Sequence, residues 1–426
     1  MESAGNLGRV LIIVQNLPVP FDRRVWLEAT TLSRSGYEVS IICPKGKGFD
    51  RSFEQLEGID IYRYSLPIEA AGVLGFIVEF LWCFICTSMK SIKVMMLGRG
   101  FDVIHACNPP ETYWVLGRFW KFFGKKFLFD HHDLSPEMYE AKFGTNKGLI
   151  YWVLLQFERL TFQTAEVVIT TNESHKEIAK SRGGKQDEDV YVVRSGPDLN
   201  RFKTYPVDHL WKKGKPYLLV YLGEICKQDG VDHLVRAVKI LRDQMGRRDF
   251  HCVFVGGGPY QGTIKDYADE QEVDDVCTFT GRVSDEDLCR ILSSADIGVD
   301  PDPKNNWSDK STMNKIMEYM FFGLPIVSYD LKENKFSAGK AALYAESNSE
   351  EALARNISHL LDSPDTRSEM SKIGYKKLRE ELSWKHSIES LLSAYSHVFG
   401  CPKSHGAGTQ NVLNECDDSK KYPTHA

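Results

Sequence analysis

Residues 308–328, SDKSTMNKIMEYMFFGLPIVS, gather a lysine, a carboxylate and several hydroxyl or amide side chains around one expected helix. Met313, Ile316, Met317, Met320 and Phe321 fall at helical spacing, and Gly323-Leu324-Pro325 stops the helix ahead of a buried strand at Ile326-Val327. Ser311, Thr312 and Asn314 are its capping candidates. Lys315 and Glu318 stand three residues apart and so share a face. A helix N-terminus carries unpaired N–H groups and a partial positive charge, which suit a phosphate. A carboxylate one turn deeper can accept hydrogen bonds from a ribose diol. The stretch therefore points to a site for a nucleotide sugar; a surface helix with a chance Lys/Glu pair is the plainer alternative.

The elements that must hold such a site read as two βα alternations. Residues 9–14, RVLIIV, have the length and apolarity of a buried parallel strand. A helix is expected over 22–35 and a strand over 38–43, a β-loop-α-β opening without the GxGxxG of a standard dinucleotide site. Further strands are expected at 59–64, 103–106, 127–131, 167–171 and 190–194. A polar linker, 198–216, leads to a second alternation, with strands at 217–222, 252–255, 276–279 and 297–299 and helices at 231–242, 284–293 and 350–361. The glycine loops at Gly223, at Gly256, Gly257 and Gly258, and at Gly281 each follow a strand. In open α/β sheets such loops converge at one edge, here with the 308–318 segment. The expected fold class is α/β with two Rossmann-like domains: 1–197, 198–382, a helix at 383–400 returning to the first domain, and a disordered tail at 401–426.

At 426 residues the chain accommodates two cores, and its formal net charge of -5 argues against a nucleic-acid partner. Cys83 and Cys86 form a lone CxxC in an apolar run and read as core thiols; no metal is expected. Residues 1–8 are short and polar, so no leader is expected and the site of action is cytoplasmic. Residues 74–97 are densely apolar, yet only 80–89 lies between Glu79 and Lys90, about half the ~20 residues a spanning helix needs. They form a buried helix or lie in a membrane interface. Residues 118–127, RFWKFFGKKF, interleave four cations with five aromatics as an interfacial anchor does, which adds peripheral attachment to the inner face of the membrane as an expectation.

The ordered set LGxxxxxxG, VGGGP, FTGRV, SADIGVDP and KIMEYMxxGLPIV resembles the donor domain of GT-B glycosyltransferases, specifically glycosyltransferase family 4 of the bacterial surface-polysaccharide type. FDRRVWLEATTLSRSGYEVSIICP, FDVIHACNPP and FLFDHHD resemble its acceptor domain. The resemblance spans about residues 9–400. It implies two Rossmann-like domains facing across a cleft and a UDP- or GDP-linked sugar donor. It further implies metal-independent chemistry and retention at the anomeric carbon.

Carried over by position, Glu318 matches the second glutamate of the family's E-x7-E pattern, which holds the donor ribose; Lys310 stands where the first belongs. The family's diphosphate-binding Arg and Lys fall at Glu224 and Asp229, near Gly230, so two cations are replaced by two anions. Positive charge is then expected from Lys227, Lys310, Lys315 or Arg194. Two arrangements are open for the carboxylates: Asp229 bonds the N–H groups of its own turn, or one of the pair accepts hydrogen bonds from sugar hydroxyls. His132 matches the histidine of the HD motif, with Asp133 expected to fix it and His131 as the competing residue. Asn16, Asp22 and Glu137 are acceptor-side candidates, Asp22 being alternatively a plain helix cap. Asp300-Pro301-Asp302 reads as a turn, and His105 as structural.

The leading expectation is an enzyme transferring a sugar to a growing glycan or a polyprenyl-diphosphate-linked acceptor. An epimerase or hydrolase on the same scaffold would turn over without acceptor. A non-catalytic glycan- or partner-binding module would show no saturable affinity for nucleotide sugars.

Overall fold

The computed structural model describes residues 7–66, 72–144, 148–346 and 348–400, so the expected tail at 401–426 lies outside the described residues. The chain divides into two compact units, one of residues 1–140, 145–195 and 384–426, the other of residues 141–144 and 196–383.

The first unit carries an eight-stranded sheet. In chain order its strands are β1 (Arg9–Ile13), β2 (Glu38–Pro44), β3 (Phe53–Leu56), β4 (Ile59–Tyr64), β5 (Val103–Cys107), β6 (Lys126–His131), β7 (Val167–Thr170) and β8 (Val190–Val192). The order across the sheet is β3-β4-β2-β1-β5-β6-β7-β8, all parallel except β3 against β4. Central strands are buried on both faces, which is why RVLII and VIHAC read as near-continuous apolar runs. β3 was not expected from sequence: Phe53 is 51% exposed and the strand is short. Glu57 and Gly58, both at positive φ, turn the chain back into β4 as a two-residue hairpin.

Helices α1 (Arg23–Arg34), α2 (Gly72–Met96), α3 (Trp114–Phe122), α4 (Ser135–Phe143), α5 (Leu149–Thr164) and α6 (Glu173–Ser181) make the crossovers. α2, α3 and α5 pack on one face of the sheet through Cys83, Val94, Leu116, Trp120 and Phe162. α1 covers the other face through Val25, Ala29 and Leu32.

The second unit holds β9 (Tyr217–Leu222), β10 (Phe250–Val255), β11 (Cys277–Gly281), β12 (Ile297–Asp300), β13 (Ile326–Tyr329) and β14 (Ala342–Ala345), in the order β11-β10-β9-β12-β13-β14, all parallel. Its helices are α7 (Val231–Lys239), α8 (Gln261–Glu270), α9 (Asp285–Ser294), α10 (Asn314–Phe321), α11 (Lys332–Ala338), α12 (Glu350–Asp362) and α13 (Pro364–Lys377). Residues 198–216 are not a free linker: Leu199 and Phe202 are buried in the core, Arg201 pairs with Asp285 at 2.7 Å and Lys212 with Asp296 at 2.8 Å.

The last helix, α14 (Lys385–Phe399), belongs to the first unit. Ile388, Leu391, Ala394, Tyr395 and Val398 join the core beneath α1, and the Trp384 indole N–H donates to Thr31 Oγ1 at 3.0 Å.

Candidate active site

In each sheet the chain changes direction beside one strand, and the loops at that switch point define a ligand edge. In the second unit the switch lies between β9 and β12. Three glycine loops are laced together there by backbone hydrogen bonds: Gly223 N–H to Val255 O at 3.1 Å, Ile225 N–H to Gly257 O at 3.0 Å, and Gly256 N–H to Gly281 O at 3.0 Å. The approach admits no side chain at Gly256, where a Cβ would stand 1.8 Å from Gly223 O. At Gly230, with φ of +64°, a Cβ would stand 2.2 Å from Pro301 O. The loops thus present backbone to whatever occupies the edge.

α10 delivers Lys315 and Glu318 to the same edge. Its expected start is corrected: residues 308–310 form a separate 3-10 turn and the α-helix begins at Asn314. Ser311, Thr312 and Asn314 are not its caps; Met313 occupies the cap position without a side-chain bond, and the Ser311 hydroxyl donates to Trp307 O at 2.8 Å. Tyr319 anchors the helix. Its ring packs where Gly298 leaves room, and its hydroxyl accepts from Leu222 N–H at 2.8 Å and donates to Val299 O at 3.1 Å. Glu318 and Lys310 are partly exposed, while Glu224 and Lys227 are exposed.

The expectation that Lys315 offers its charge to a diphosphate is corrected. Its ammonium is 3.0 Å from Asp300 Oδ1 and also bonds Asp302 Oδ2, with the Tyr221 ring centroid at 4.9 Å. Asp300 is 0% exposed and takes a further bond from Asn334 Nδ2 at 2.6 Å. The Asp300-Pro301-Asp302 segment is therefore a buried counterion pair rather than a plain turn. Burial opposes charge on all three groups. Lys315 holds Asp300 below the usual carboxylate range, while burial and the neighbouring Asp300 drive Asp302 well above it. The set is close to neutral as a whole and carries no spare positive charge.

Asp229 takes the first of the two arrangements left open by the sequence. It is buried, and its Oδ2 accepts from Cys226 N–H at 2.8 Å within its own turn. Burial lifts its pKa to about 6, against the pull of Lys315. The sign follows: the folded loop holds this proton more tightly than the unfolded chain, so the associated stability is present at low pH and lost as pH rises through about 6. Nucleotide-sugar affinity should fall over the same interval as a second anion appears beside Glu224. Titration from pH 5 to 7 checks this, and Asp229→Asn should flatten the profile; an equal slope in the variant would refute it.

In the first unit the switch lies between β1 and β5. His132, directly after β6, is 13% exposed in its side chain, with Nε2 2.5 Å from Asp130 Oδ2 and 2.9 Å from Arg24 Nε. His131 is fully enclosed, packed edge-on to Phe162 and tilted against Phe129 and His175, and burial followed by the Arg182 charge lowers its pKa to about 3, so it stays neutral. Of the two histidines only His132 faces the edge.

Asp130 holds the His132 ring, and Asp133 contributes its backbone N–H to Asn108 Oδ1 at 3.2 Å. Asp22 caps α1, accepting from Val25 N–H at 3.1 Å, and is buried. Asn16 is exposed. Glu137 is 5% exposed and paired with Arg182 at 2.7 Å, which makes it a structural ion pair rather than an acceptor group. Arg194 lies in the first unit, buried, with its carbonyl accepting from the Ser387 hydroxyl at 2.8 Å.

Sequence reasoning missed Arg24, Glu28 and Asp130. The Arg24 guanidinium bonds Asp130 at 2.8 Å, Val193 O at 2.6 Å and the Ser195 hydroxyl at 3.0 Å, and forms an ion pair with Glu28 at 3.1 Å. His105 continues the chain, with Nε2 3.3 Å from Asp130 and Nδ1 2.7 Å from the Tyr395 hydroxyl on α14. The available signals were the i,i+4 spacing of Arg24 and Glu28 and a lone aspartate in the apolar strand KFLFDH. Glu28, Asp130 and His132, and likewise His105, Cys107 and Asp130, bring three metal-type ligand atoms within 4.8 Å of one another. Asp130, common to both sets, is already paired with Arg24.

Two Rossmann-like parallel sheets, each with its ligand edge at a switch point, are the GT-B class of glycosyltransferase folds. Residues 22–201 match the profile of Glycosyltransferase Family 4, and residues 216–363 that of Glycosyl transferases group 1. The chain belongs to the family 4 type of glycosyltransferase. It is 23% identical over 287 residues to an uncharacterized glycosyltransferase of Methanocaldococcus jannaschii, covering 64% of this chain and 68% of that one. Two further curated relatives are matched over only 54% of their length. Sucrose-phosphate synthase from Thermosynechococcus elongatus has a similar fold, with a TM-score of 0.72 and 18% identity over 92% of this chain and 99% of its own. HepE of Anabaena, solved in complex with UDP-glucose, gives 0.68 and 15% over 91% and 99%.

Proposed function

We propose that this glycosyltransferase moves a sugar from a UDP- or GDP-linked donor to a glycan or polyprenyl-diphosphate-linked acceptor, with retention at the anomeric carbon, in surface-polysaccharide synthesis at the cytoplasmic face of a membrane. One observation carries the donor half. The Gly223, Gly256 and Gly281 loops bring closely packed backbone, with the exposed Glu224 and Lys227, to an edge beside the start of α10, the helix of Glu318. The UDP-glucose complex of a similarly folded protein supports the same reading. In it, Glu318 accepts hydrogen bonds from the donor ribose, and the loop N–H groups, with Lys227 and Lys310, face the diphosphate. Glu224 is left for sugar hydroxyls. His132, held by Asp130, orients the transferred sugar or the acceptor hydroxyl. The reading includes no metal ion.

Glu318→Gln should leave the fold intact and raise donor KM about ten-fold or more, because charge-assisted bonds contribute roughly 1.5–3 kcal/mol. Kinetics over a panel of nucleotide sugars, with a membrane lipid extract as acceptor, check both the donor class and the variant. Unchanged KM in Glu318→Gln removes the ribose assignment. Turnover equal with and without acceptor points to the hydrolase or epimerase reading instead.

A further inference from the structure

The outer surface of the first unit is apolar where α2, α3 and α5 cover the sheet. Sixteen of the twenty-three exposed large apolar side chains among the described residues lie on or directly after these three helices. Along α2 the exposed apolar set is Ile77, Val78, Leu81, Trp82, Ile85, Met89, Ile92 and Met96, a stripe at helical spacing. The buried side of the same helix carries Cys83, Thr87, Ser91 and Val94. The helix thus turns its smaller, more polar face inward and its larger apolar face outward, the reverse of what a water-facing helix does.

The three helices form one continuous layer. The Trp120 indole N–H donates to Ser91 Oγ at 3.2 Å, joining α3 to α2, and Lys121 Nζ donates to Thr164 O at 2.8 Å, joining α3 to α5. On α3, Phe119 is 48% and Phe122 87% exposed; on α5, Leu149 is 76% and Trp152 57% exposed. Scattered apolar residues need no explanation, but a contiguous layer of this extent marks an interaction surface.

Charge on the layer selects the partner. Lys90, Lys93, Arg118 and Arg159 lie on these helices, together with Lys121, which pairs with Glu166 at 2.7 Å, against Glu79 and a Glu158 that is 0% exposed. Apolar and aromatic side chains interleaved with cations match the acyl and anionic headgroup zones of a bilayer. No helix among the described residues is long and apolar enough to cross a membrane, so the contact is lateral.

We infer that the α2–α3–α5 layer docks face-on against an anionic bilayer surface. α2 and α5 lead into the starts of β5 and β7, so their N-terminal turns lie toward the opposite, His132-bearing edge of the sheet. The first turn of α5 carries Leu149 and Trp152, and the N-terminal half of α2 carries Val78 and Leu81. Docking therefore sets the first unit's ligand edge beside the lipid surface, where a lipid-carried acceptor is presented; that step rests on the acceptor reading above.

The test is vesicle flotation of the full chain without any sugar donor. Wild type should float with phosphatidylcholine vesicles containing phosphatidylglycerol, and less with phosphatidylcholine alone or at high salt. Leu81→Asp with Phe122→Asp should reduce partitioning about ten-fold or more, with thermal melting and nucleotide-sugar affinity unchanged. Wild type that stays with the aqueous phase, or a double variant that floats as wild type does, overturns the inference. So does a vesicle-free dimer of wild type that the double variant dissociates, since the surface then belongs to a second copy. Flotation is blind to donor chemistry: vesicle binding without nucleotide-sugar affinity would sink the proposed function and leave the docking surface standing.

Discussion

Lys315→Ala is expected to destabilise the second unit by about 3–5 kcal/mol, the cost of leaving a buried charge without its partner. Asp300 and Asp302 are 0% and 1% exposed, and the Lys315 ammonium is the cation paired with both. A chemical-denaturation midpoint shifted sharply downward is the readout. Replacing the whole set, Lys315→Met with Asp300→Asn and Asp302→Asn, should recover most of the loss, because a buried ion set exchanged for neutral groups of similar volume is close to neutral in stability. That rescued chain should still favour nucleoside diphosphate over nucleoside by the wild-type factor, since the charge of Lys315 is consumed internally. Calorimetric titration with both ligands decides the matter. A stable Lys315→Ala, or a rescued chain that loses only diphosphate affinity, would return Lys315 to the phosphate-binding role its position in the sequence suggests.

Arg24→Ala should be comparably severe, again about 3–5 kcal/mol, since it strands Asp130 and Glu28, each 0% exposed. Burial opposes the ionisation of Asp130, and Arg24 with His132 outweighs it, holding the carboxylate well below its usual range. Glu28 is driven the other way, up, chiefly by burial. Arg24→Lys keeps the charge but not the fork that reaches Asp130, Val193 O and Ser195 together, so its loss should be intermediate. Activity should separate from stability in that variant: the pH dependence of kcat shifts when the carboxylate against His132 is no longer fixed. Denaturation midpoints and a pH–rate profile are the measurements. A wild-type midpoint in Arg24→Ala would show that Arg24 is not the counterion of this cluster.

Much of the architecture was legible because it is written in local patterns. The buried runs 9–13, 103–107 and 217–222 announce parallel strands, since a strand covered on both faces must be apolar throughout. Glycines at 223, 256 and 281 announce close backbone approach after strands. What resisted reading was weakly patterned or dependent on packing. β3 is a short edge strand with exposed side chains, β14 is four residues long, and the start of α10 was blurred by hydroxyl residues that cap nothing.

The class of fold, the two βα alternations, the return of the last helix as part of the resemblance, and the unusual anions at 224 and 229 are all readable along the chain. The pairing of the buried charges is visible only once the chain is folded. Lys315 sits three residues from Glu318 in the chain, yet its partners, Asp300 and Asp302, arrive from the end of β12. His132 precedes Asp133, yet the ring is held by Asp130, itself fixed by Arg24 from α1 and linked through His105 to Tyr395 on α14. Local propensity and hydrophobic period act over neighbouring residues and are visible in one dimension. The Coulomb attraction that pairs a buried lysine acts through space, over a few ångströms and in a poorly screened interior, so its partner can be any residue the fold brings near.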